Sequence, residues 1–311
     1  MSISQTILRF IRAALLALLA LLPVAAAHAQ NQDNAASYAL ANQVADELEL
    51  VRERMGRPFD DSPRLPVSAV SELELYYQTQ SMLRKANQLA QDLAGAAPRS
   101  PGPVPSGEIS SADVYAVLED SLAQIRVAAE AIGITERATF EQRVTSIAAT
   151  GVFLVVIDIN RQLNQMLRVP IGNTEVFEEV SAAITSAAAL LATFPGATPV
   201  PEPPPFDGYK RPADVYQRLT ECMDAVIRVA PKVGVDVLGL SARRNVPEDT
   251  EPGHAYDIAR FLVADLTAFA DARKAPRMRV SLPAPKHVFP TEVYAHAGIL
   301  LRQLEELERR L

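Results

Sequence analysis

The chain has 311 residues, of which 49% are hydrophobic and 6% aromatic, and its net charge at pH 7 is −7. An acidic chain repels the phosphate backbone of nucleic acids and the surface of anionic lipids, so this composition argues against both as partners. A single cysteine, Cys222, excludes an internal disulfide. Stability must therefore come from packed apolar surface.

The first 29 residues have the organisation of a secretory signal peptide. Arg9 and Arg12 precede an apolar core over residues 13–24, and a small-x-small cleavage site ends at Ala29, before Gln30. The apolar run is shorter than a membrane span requires, and an uncleaved anchor is the alternative. Cleavage removes two arginines and no acid, so 28 basic residues remain against 37 acidic ones and the net charge becomes −9. The sequence therefore predicts a periplasmic or secreted protein.

A short motif made of an acid, a valine and an aromatic residue recurs along the chain. Clear copies read "ADVYAV", "TEVFEE", "ADVYQR" and "TEVYAH", and weaker copies lie before and between them. The aromatic residues follow each other at intervals of 38, 39, 38, 24, 39, 40 and 38 residues, at these positions: Tyr38, Tyr76, Tyr115, Phe153, Phe177, Tyr216, Tyr256 and Tyr294. A near-constant period of this size is typical of a tandem repeat.

Each repeat unit contains one amphipathic helix that begins at the motif. In the sixth unit Val215, Leu219 and Met223 follow a spacing of three to four residues and form one apolar stripe. Pro212 suits the first helical position, where a missing N–H costs nothing. Asp214 puts a negative charge in the first turn, at the positive end of the helix dipole. The recurring acid is therefore explained by the needs of the backbone.

The aromatic residue of the motif lies about 100° round the helix from the valine, at the edge of the apolar stripe. The simplest interpretation is that it packs against a neighbouring helix, with its hydroxyl reaching water or a carbonyl. The alternative is that the tyrosines line an interaction surface. The candidates for such a surface are Tyr76, Tyr115, Tyr216, Tyr256 and Tyr294.

The single short interval, 24 residues, divides the repeats into two groups of four. We therefore expect an all-α fold with two duplicated four-helix modules packed together, over residues 30–168 and 169–311. An α-solenoid is the alternative, although its units usually hold two helices joined by short turns. The predicted helices are 35–56, 66–94, 111–133, 136–167, 173–194, 211–233, 252–273 and 290–311.

Proline-rich linkers separate several of these helices, at residues 95–110, 195–211 and 274–289. Such chain extends about 3.1 Å per residue, so a linker of this length reaches roughly 50 Å, farther than the helix before it is long. The linkers therefore leave open whether successive helices are parallel or antiparallel. Two short connections, 132–137 and 168–173, predict tight turns between antiparallel neighbours. The apolar run at residues 147–159 is too short for a membrane span.

The sequence predicts no catalytic, metal or cofactor site. The mature chain has three histidines, His254, His287 and His296. Dimetal bundles use Glu-x-x-His on two helices with further inward-facing Glu, and neither the pair of His254 and Asp257 nor the pair of Glu292 and His296 has that pattern. There is no Gly-x-Ser-x-Gly, no phosphate-binding glycine loop and no Cys-x-x-Cys-His motif. Cys222 lies on the apolar stripe of its helix, which indicates a packing role.

Two functional hypotheses follow. The first is a non-enzymatic interaction or scaffold protein of the envelope, whose partner is another envelope protein. The second is a small-molecule binding or sensing module with a site between helices near the mid-chain joint. A fully apolar interior would favour the first, and a pocket with tyrosine hydroxyls and Arg161 or Arg302 would favour the second. An enzyme, a weaker third option, would need His254, His296 and several carboxylates in one cleft.

Overall fold

The structure is a computed structural model that describes residues 34–60, 67–100, 102, 104–105, 108–140, 146–240, 250–282 and 285–311. The predicted signal peptide and its cleavage site lie outside these residues. In the described part of the chain the fold is all-α, as predicted, with eight helices and one pair of two-residue strands.

Helix α1 covers residues 34–55, and the remaining helices and strands have bounds fixed within the described chain. In chain order they are β1 (Val67–Ser68), α2 (Glu72–Ala94), α3 (Ser111–Ala131), α4 (Ala149–Met166), α5 (Asn173–Leu191), α6 (Pro212–Val233), β2 (Gly239–Leu240), α7 (Pro252–Ala272) and α8 (Pro290–Arg310). The strands pair antiparallel, with Val67 opposite Leu240.

The repeated motif marks the start of every helix. In α2 to α8 the aromatic residue of the motif is the fifth residue of the helix, and Tyr38 is the fifth described residue of α1. The motif acid is the third residue, and in α6 its carboxylate accepts a hydrogen bond from the backbone N–H of the residue before the helix, with Asp214 Oδ2 at 2.7 Å from Arg211 N. The same bond is made by Glu74, Asp113, Glu175 and Glu292 in their helices.

His254 replaces the acid of the motif in α7 and makes the equivalent bond. Its Nδ1 accepts from the backbone N–H of Glu251 at 3.1 Å. A helix has four N–H groups in its first turn without a partner inside the helix, and a side-chain acceptor here compensates for that loss. The motif therefore encodes helix initiation.

Two predicted helix starts are wrong. Helix α2 begins at Glu72 rather than at residue 66, because Ser71 caps it and the preceding residues Val67 and Ser68 pair with β2. Helix α4 begins at Ala149 rather than at residue 136. The described residues 132–140 and 146–148 are not helical, so the connection between α3 and α4 is long and the predicted tight turn at 132–137 is wrong.

Both modules have the same pattern of helix contacts. In the second module α5 and α6 each pack against α7 and α8. In the first module α2 packs against α3 and α4. Helix α1 contacts α3 through Glu47, whose Oε1 lies 3.0 Å from Arg126 Nε, and a cavity lined by Leu48 and Val155 lies between α1 and α4. In each module, then, the first two helices pack against the last two.

Within a module the helices run in the same direction. Between α5 and α8 the rings of Phe177 and His296 are 4.2 Å apart, and seven residues later in both helices Gln303 donates to Ile184 O at 3.1 Å. Between α2 and α4, Val70 N, just before α2, donates to Thr150 Oγ1 in the first turn of α4, and Lys85 reaches Asn160 O farther along both helices. The long linkers therefore return along the module from one helix end to the next helix start.

The two modules point in opposite directions. Along α2 the contacts with α7 run from Arg84, at 3.3 Å from the Tyr256 hydroxyl, back to Glu74, whose carboxyl group interacts with that of Asp265. Residue numbers therefore fall along α2 in the direction in which they rise along α7, so these two helices are antiparallel. The reversal occurs over residues 167–172, where the short connection from α4 to α5 was predicted to join helices of opposite direction.

One apolar core extends through both modules. Residues of α4 such as Val152, Phe153 and Val156 are completely buried, and Phe153 contacts Phe261 of α7 with ring centroids 5.4 Å apart. Cys222 is also completely buried. Among the helices of the described chain, none has the length and apolar character needed to cross a membrane.

Candidate functional site

A polar cleft of about 430 Å³ lies where α2 of the first module meets α5 and α7 of the second. This volume is within the range of small-molecule sites in proteins. Helix α2 contributes one wall, because Gln80, Arg84, Gln88 and Gln91 repeat every three to four residues and share a face. The opposite face of α2 carries the buried residues of the core, such as Met82.

Arg260 of α7 is held rigidly at the base of this cleft. Its Nη1 donates to Glu179 Oε2 of α5 at 3.0 Å, and its Nη2 donates to Tyr77 O of α2 at 3.1 Å. Its Nε donates to Ser81 Oγ at 3.1 Å, and the guanidinium lies over the Tyr77 ring, 4.8 Å from the centroid. One side chain thus links three helices of two modules.

Tyr256 brings a hydroxyl group to the cleft from a buried ring. The hydroxyl donates to Glu179 Oε1 at 3.4 Å and accepts from Arg84 Nη1 at 3.3 Å. Burial, followed by the charge of Glu179, raises the pKa of Tyr256 above its ordinary value, so the hydroxyl keeps its proton. It is therefore a neutral group that both donates and accepts.

Arg84 is held more loosely than Arg260. Its side chain is 47% exposed, and its nitrogens lie 3.9 Å from Glu178 Oε2 and 4.0 Å from Glu179 Oε1. These distances exceed those of hydrogen bonds, so the interactions are electrostatic contacts of modest energy. N–H groups of Arg84 consequently remain accessible to a bound molecule.

Beneath the cleft, the junction of the modules contains a buried ion pair. Lys85 is fully buried, and its Nζ lies 3.5 Å from Asp257 Oδ1 and 3.3 Å from Asn160 O. Burial lowers the pKa of Lys85, and the negative charge of Asp257 opposes this effect. The interior at the joint is therefore not fully apolar, and its polar groups fix the position of α7 against α2 and α4.

The five tyrosines predicted as interaction candidates do not form one surface. Tyr256 lines the cleft, whereas Tyr76 is buried beside Tyr77. Tyr115, Tyr216 and Tyr294 are half-buried on separate helices. Among the described residues, no ring contact joins any two of the five.

Arg161 and Arg302, the arginines expected in a binding pocket, do not line the cleft. Arg161 is buried in α4, and Arg302 donates to Glu202 O of a surface linker at 2.8 Å. Arg84 and Arg260 take the expected place, and the sequence analysis missed both. A signal was available for Arg260, because charged residues on an otherwise apolar helix such as α7 require buried partners.

The histidines lie apart from each other and from the cleft. His254 caps α7, His296 packs on Phe177, and His287 is exposed in a linker. In the part of the chain that the structure describes, no group of three or more His, Cys, Asp or Glu side chains could hold a metal ion.

The fold and the cleft define an all-α repeat protein made of two opposed modules. No family model matches the chain, and neither a curated protein nor a solved structure matches it.

Proposed function

We propose that this protein is an exported, non-enzymatic binding protein that holds a small polar molecule in the cleft between its two modules. The observation that carries the proposal is the cleft itself, where the Tyr256 hydroxyl, the accessible Arg84 and the fixed Arg260 face one space. Of the two hypotheses raised by the sequence, this geometry favours the binding module.

The arrangement of the cleft supports ligand binding because most of it is formed in advance. Four hydrogen bonds hold Arg260, and the buried ring of Tyr256 fixes its hydroxyl. A site whose side chains are already ordered loses little conformational entropy when a ligand binds. Both modules contribute, so a ligand would also strengthen their contact.

The absence of a reactive pair supports a non-enzymatic role. Among the described residues, no histidine or cysteine lines the cleft, and Ser81 has a hydroxyl that donates to Tyr77 O at 3.1 Å. A serine nucleophile needs a base next to it. Export is supported by the basic, apolar and small-residue segments that precede Gln30 in the sequence.

Native mass spectrometry of the mature chain, purified from the envelope, tests the binding function. We expect a bound small molecule or, for the emptied protein, a rise in melting temperature with some members of a metabolite library. Gln91→Trp, at an exposed position of the cleft wall, should reduce binding, and Gln217→Trp on exposed α6 surface should not. Absence of any ligand by both methods contradicts the proposal.

A scaffold function is the second candidate, and an exposed aromatic pair favours it. Phe206 and Tyr209 are 70% and 94% exposed, with ring centroids 5.8 Å apart, in the proline-rich linker between α5 and α6. Exposed aromatic residues of this kind are enriched in protein interfaces. We propose an envelope protein as the partner in this case.

Affinity capture from envelope extract separates the two candidates. A scaffold function requires a protein that is retained by the wild type and lost with the double variant Phe206→Ser and Tyr209→Ser. If the captured proteins are the same with and without this change, the aromatic pair is not an interaction site.

A further inference from the structure

We infer that the cleft selects a small, uncharged molecule rich in hydroxyl groups, such as a monosaccharide or a polyol. This inference rests on the proposed binding function and names the class of ligand.

The first argument is the balance of charge around the cleft. Two positive groups, Arg84 and Arg260, lie within 4.0 Å of two negative ones, Glu178 and Glu179. A charged ligand that separated Arg260 from Glu179 would leave a largely buried charge without its partner, because both side chains are only 12% exposed. A neutral ligand leaves the pairs intact.

The second argument is the chemistry of the remaining lining residues. Six of the eleven lining residues carry a carboxamide or a hydroxyl, namely Gln80, Ser81, Asn87, Gln88, Gln91 and Tyr256. Each of these groups both donates and accepts hydrogen bonds. A carboxylate only accepts and an ammonium only donates, so neither matches such a lining well. Asn87 is already bonded to Arg99, and Ser81 to Tyr77 O and Arg260. A ligand hydroxyl, which donates and accepts from a single atom, therefore matches above all the exposed carboxamide of Gln91.

The third argument concerns the shape of the ligand. Only two lining residues, Leu83 and Pro98, are apolar, and about 430 Å³ is available. A large apolar ligand would leave the polar groups of the lining without partners, which costs free energy. A compact molecule with a hydroxyl on most of its carbons can satisfy these groups and still place C–H bonds against Leu83 and Pro98.

Isothermal titration calorimetry with one matched series tests the inference. The probes are glucose, gluconate and protonated glucosamine, which share hydroxyl groups but carry no charge, a negative charge and a positive charge. We expect glucose, or its neutral relatives ribose and sorbitol, to bind at least tenfold more tightly than the charged members. Binding should also be insensitive to added salt, since no net charge is neutralised.

Two variants locate the binding in the cleft. Tyr256→Phe removes one neutral hydrogen bond and should weaken binding about fivefold. Gln91→Leu should also weaken binding. The matched controls are Tyr294→Phe, at the equivalent position of α8, and Gln217→Leu, on the exposed surface of α6. Both control variants should bind the ligand as tightly as the wild type does.

The outcomes separate this inference from the proposed function. Tighter binding of gluconate or glucosamine than of glucose overturns the ligand class. An equal loss of affinity in the control variants overturns the location of the site. If no polyol binds while other library compounds do, the ligand class is wrong and the binding function stands. If nothing binds, both are wrong.

Discussion

Two carboxyl groups meet inside the protein at the junction of α2 and α7. Glu74 and Asp265 are 1% and 2% exposed, and their carboxyl groups interact with each other. Both oxygens of Glu74 also accept backbone bonds, from Leu238 N and Ser71 N at 2.6 Å each. Burial, and then the charge of Glu74, raise the pKa of Asp265 well above its ordinary value. The raised pKa favours the protonated form of Asp265 in the folded protein.

This proton makes stability depend on pH. Because the pKa of Asp265 is higher in the folded than in the unfolded state, the folded state binds the extra proton more strongly. The free energy of unfolding should therefore fall as pH rises from about 4, the unfolded value, through the raised folded value. Urea unfolding at a series of pH values measures this slope.

The variant Asp265→Asn keeps the size and shape of the side chain and removes the titration, so its stability should depend less on pH over this window. Asp271→Asn, at an exposed position of the same helix, is the matched control and should keep the wild-type slope. An unchanged slope in Asp265→Asn would show that other groups cause the dependence.

The buried pair of Lys85 and Asp257 gives a second prediction at the residue scale. Lys85→Met leaves Asp257 buried without its partner and should lower the free energy of unfolding by about 3–5 kcal/mol. Changing both residues, to Met and Leu, should restore most of this loss, because a buried pair often exchanges for apolar groups at little cost. Urea unfolding of the single and double variants measures both effects.

An exposed ion pair provides the contrast. Arg228→Met removes the partner of Glu308 on the surface, at 3.0 Å, and should cost less than about 1 kcal/mol. If the double variant at Lys85 and Asp257 is as unstable as Lys85→Met, the pair contributes more to stability than the compensation of two charges.

At the scale of the helix, the motif acid of α6 should contribute to stability mainly through its bond to the backbone N–H that precedes the helix. Asp214→Ala removes the acceptor for Arg211 N and should cost about 1 kcal/mol. Asp224→Ala, in the middle of the same helix, should cost less because no helix end depends on it. Thermal unfolding measures both, and equal effects would contradict an initiation role for the motif.

Helix starts were largely predictable because the residues that form them are local. Asp214, Glu175 and Glu292 bond to the residue just before their own helix, so the sequence contains the whole interaction. The start of α2 was missed because residues 67–68 pair with a strand about 170 residues away. Local propensity does not include that partner.

The length of each linker determines the relative direction of successive helices, which could not be predicted from the sequence. A six-residue connection reaches about 20 Å, and α3 with its 21 residues is about 32 Å long. Only the actual linker, residues 132–148, is long enough to return to the start of α4. The cleft was unpredictable for a similar reason, because Arg84, Glu179 and Arg260 belong to three helices whose directions were unknown.

One linker is ordered by its contacts with α8. Gln303 donates to Pro199 O at 2.6 Å and Arg310 donates to Pro195 O at 3.0 Å. A Cβ atom added to Gly298 would lie 2.6 Å from Pro204, so the glycine permits the close approach of the linker. The proline-rich segment is thus part of the packed structure.

At the scale of the molecule, the two modules should unfold together. Phe261 of α7 packs on Phe153 of α4 inside the shared core, and both are completely buried. Phe261→Ala should therefore lower the stability of both modules, by about 3–5 kcal/mol. Hydrogen exchange measured along the chain should show faster exchange in helices of both modules.

The exposed Phe206 is the matched control, since Phe206→Ala should change stability by less than about 0.5 kcal/mol. Faster exchange confined to α5–α8 after the Phe261 change would mean that the modules are independent units.

The common direction of the helices within each module also determines how the chain must fold. Neighbouring helices cannot pair through a short turn, so each contact closes a long loop, and the contact between Gln78 and Asp257 O joins residues 179 positions apart. Loop closure of this kind must precede any stabilising contact, and proteins dominated by such pairings fold slowly. We expect refolding from urea to take much longer than for antiparallel bundles of similar size, which leaves newly made chains unfolded long enough for transport or for capture by chaperones.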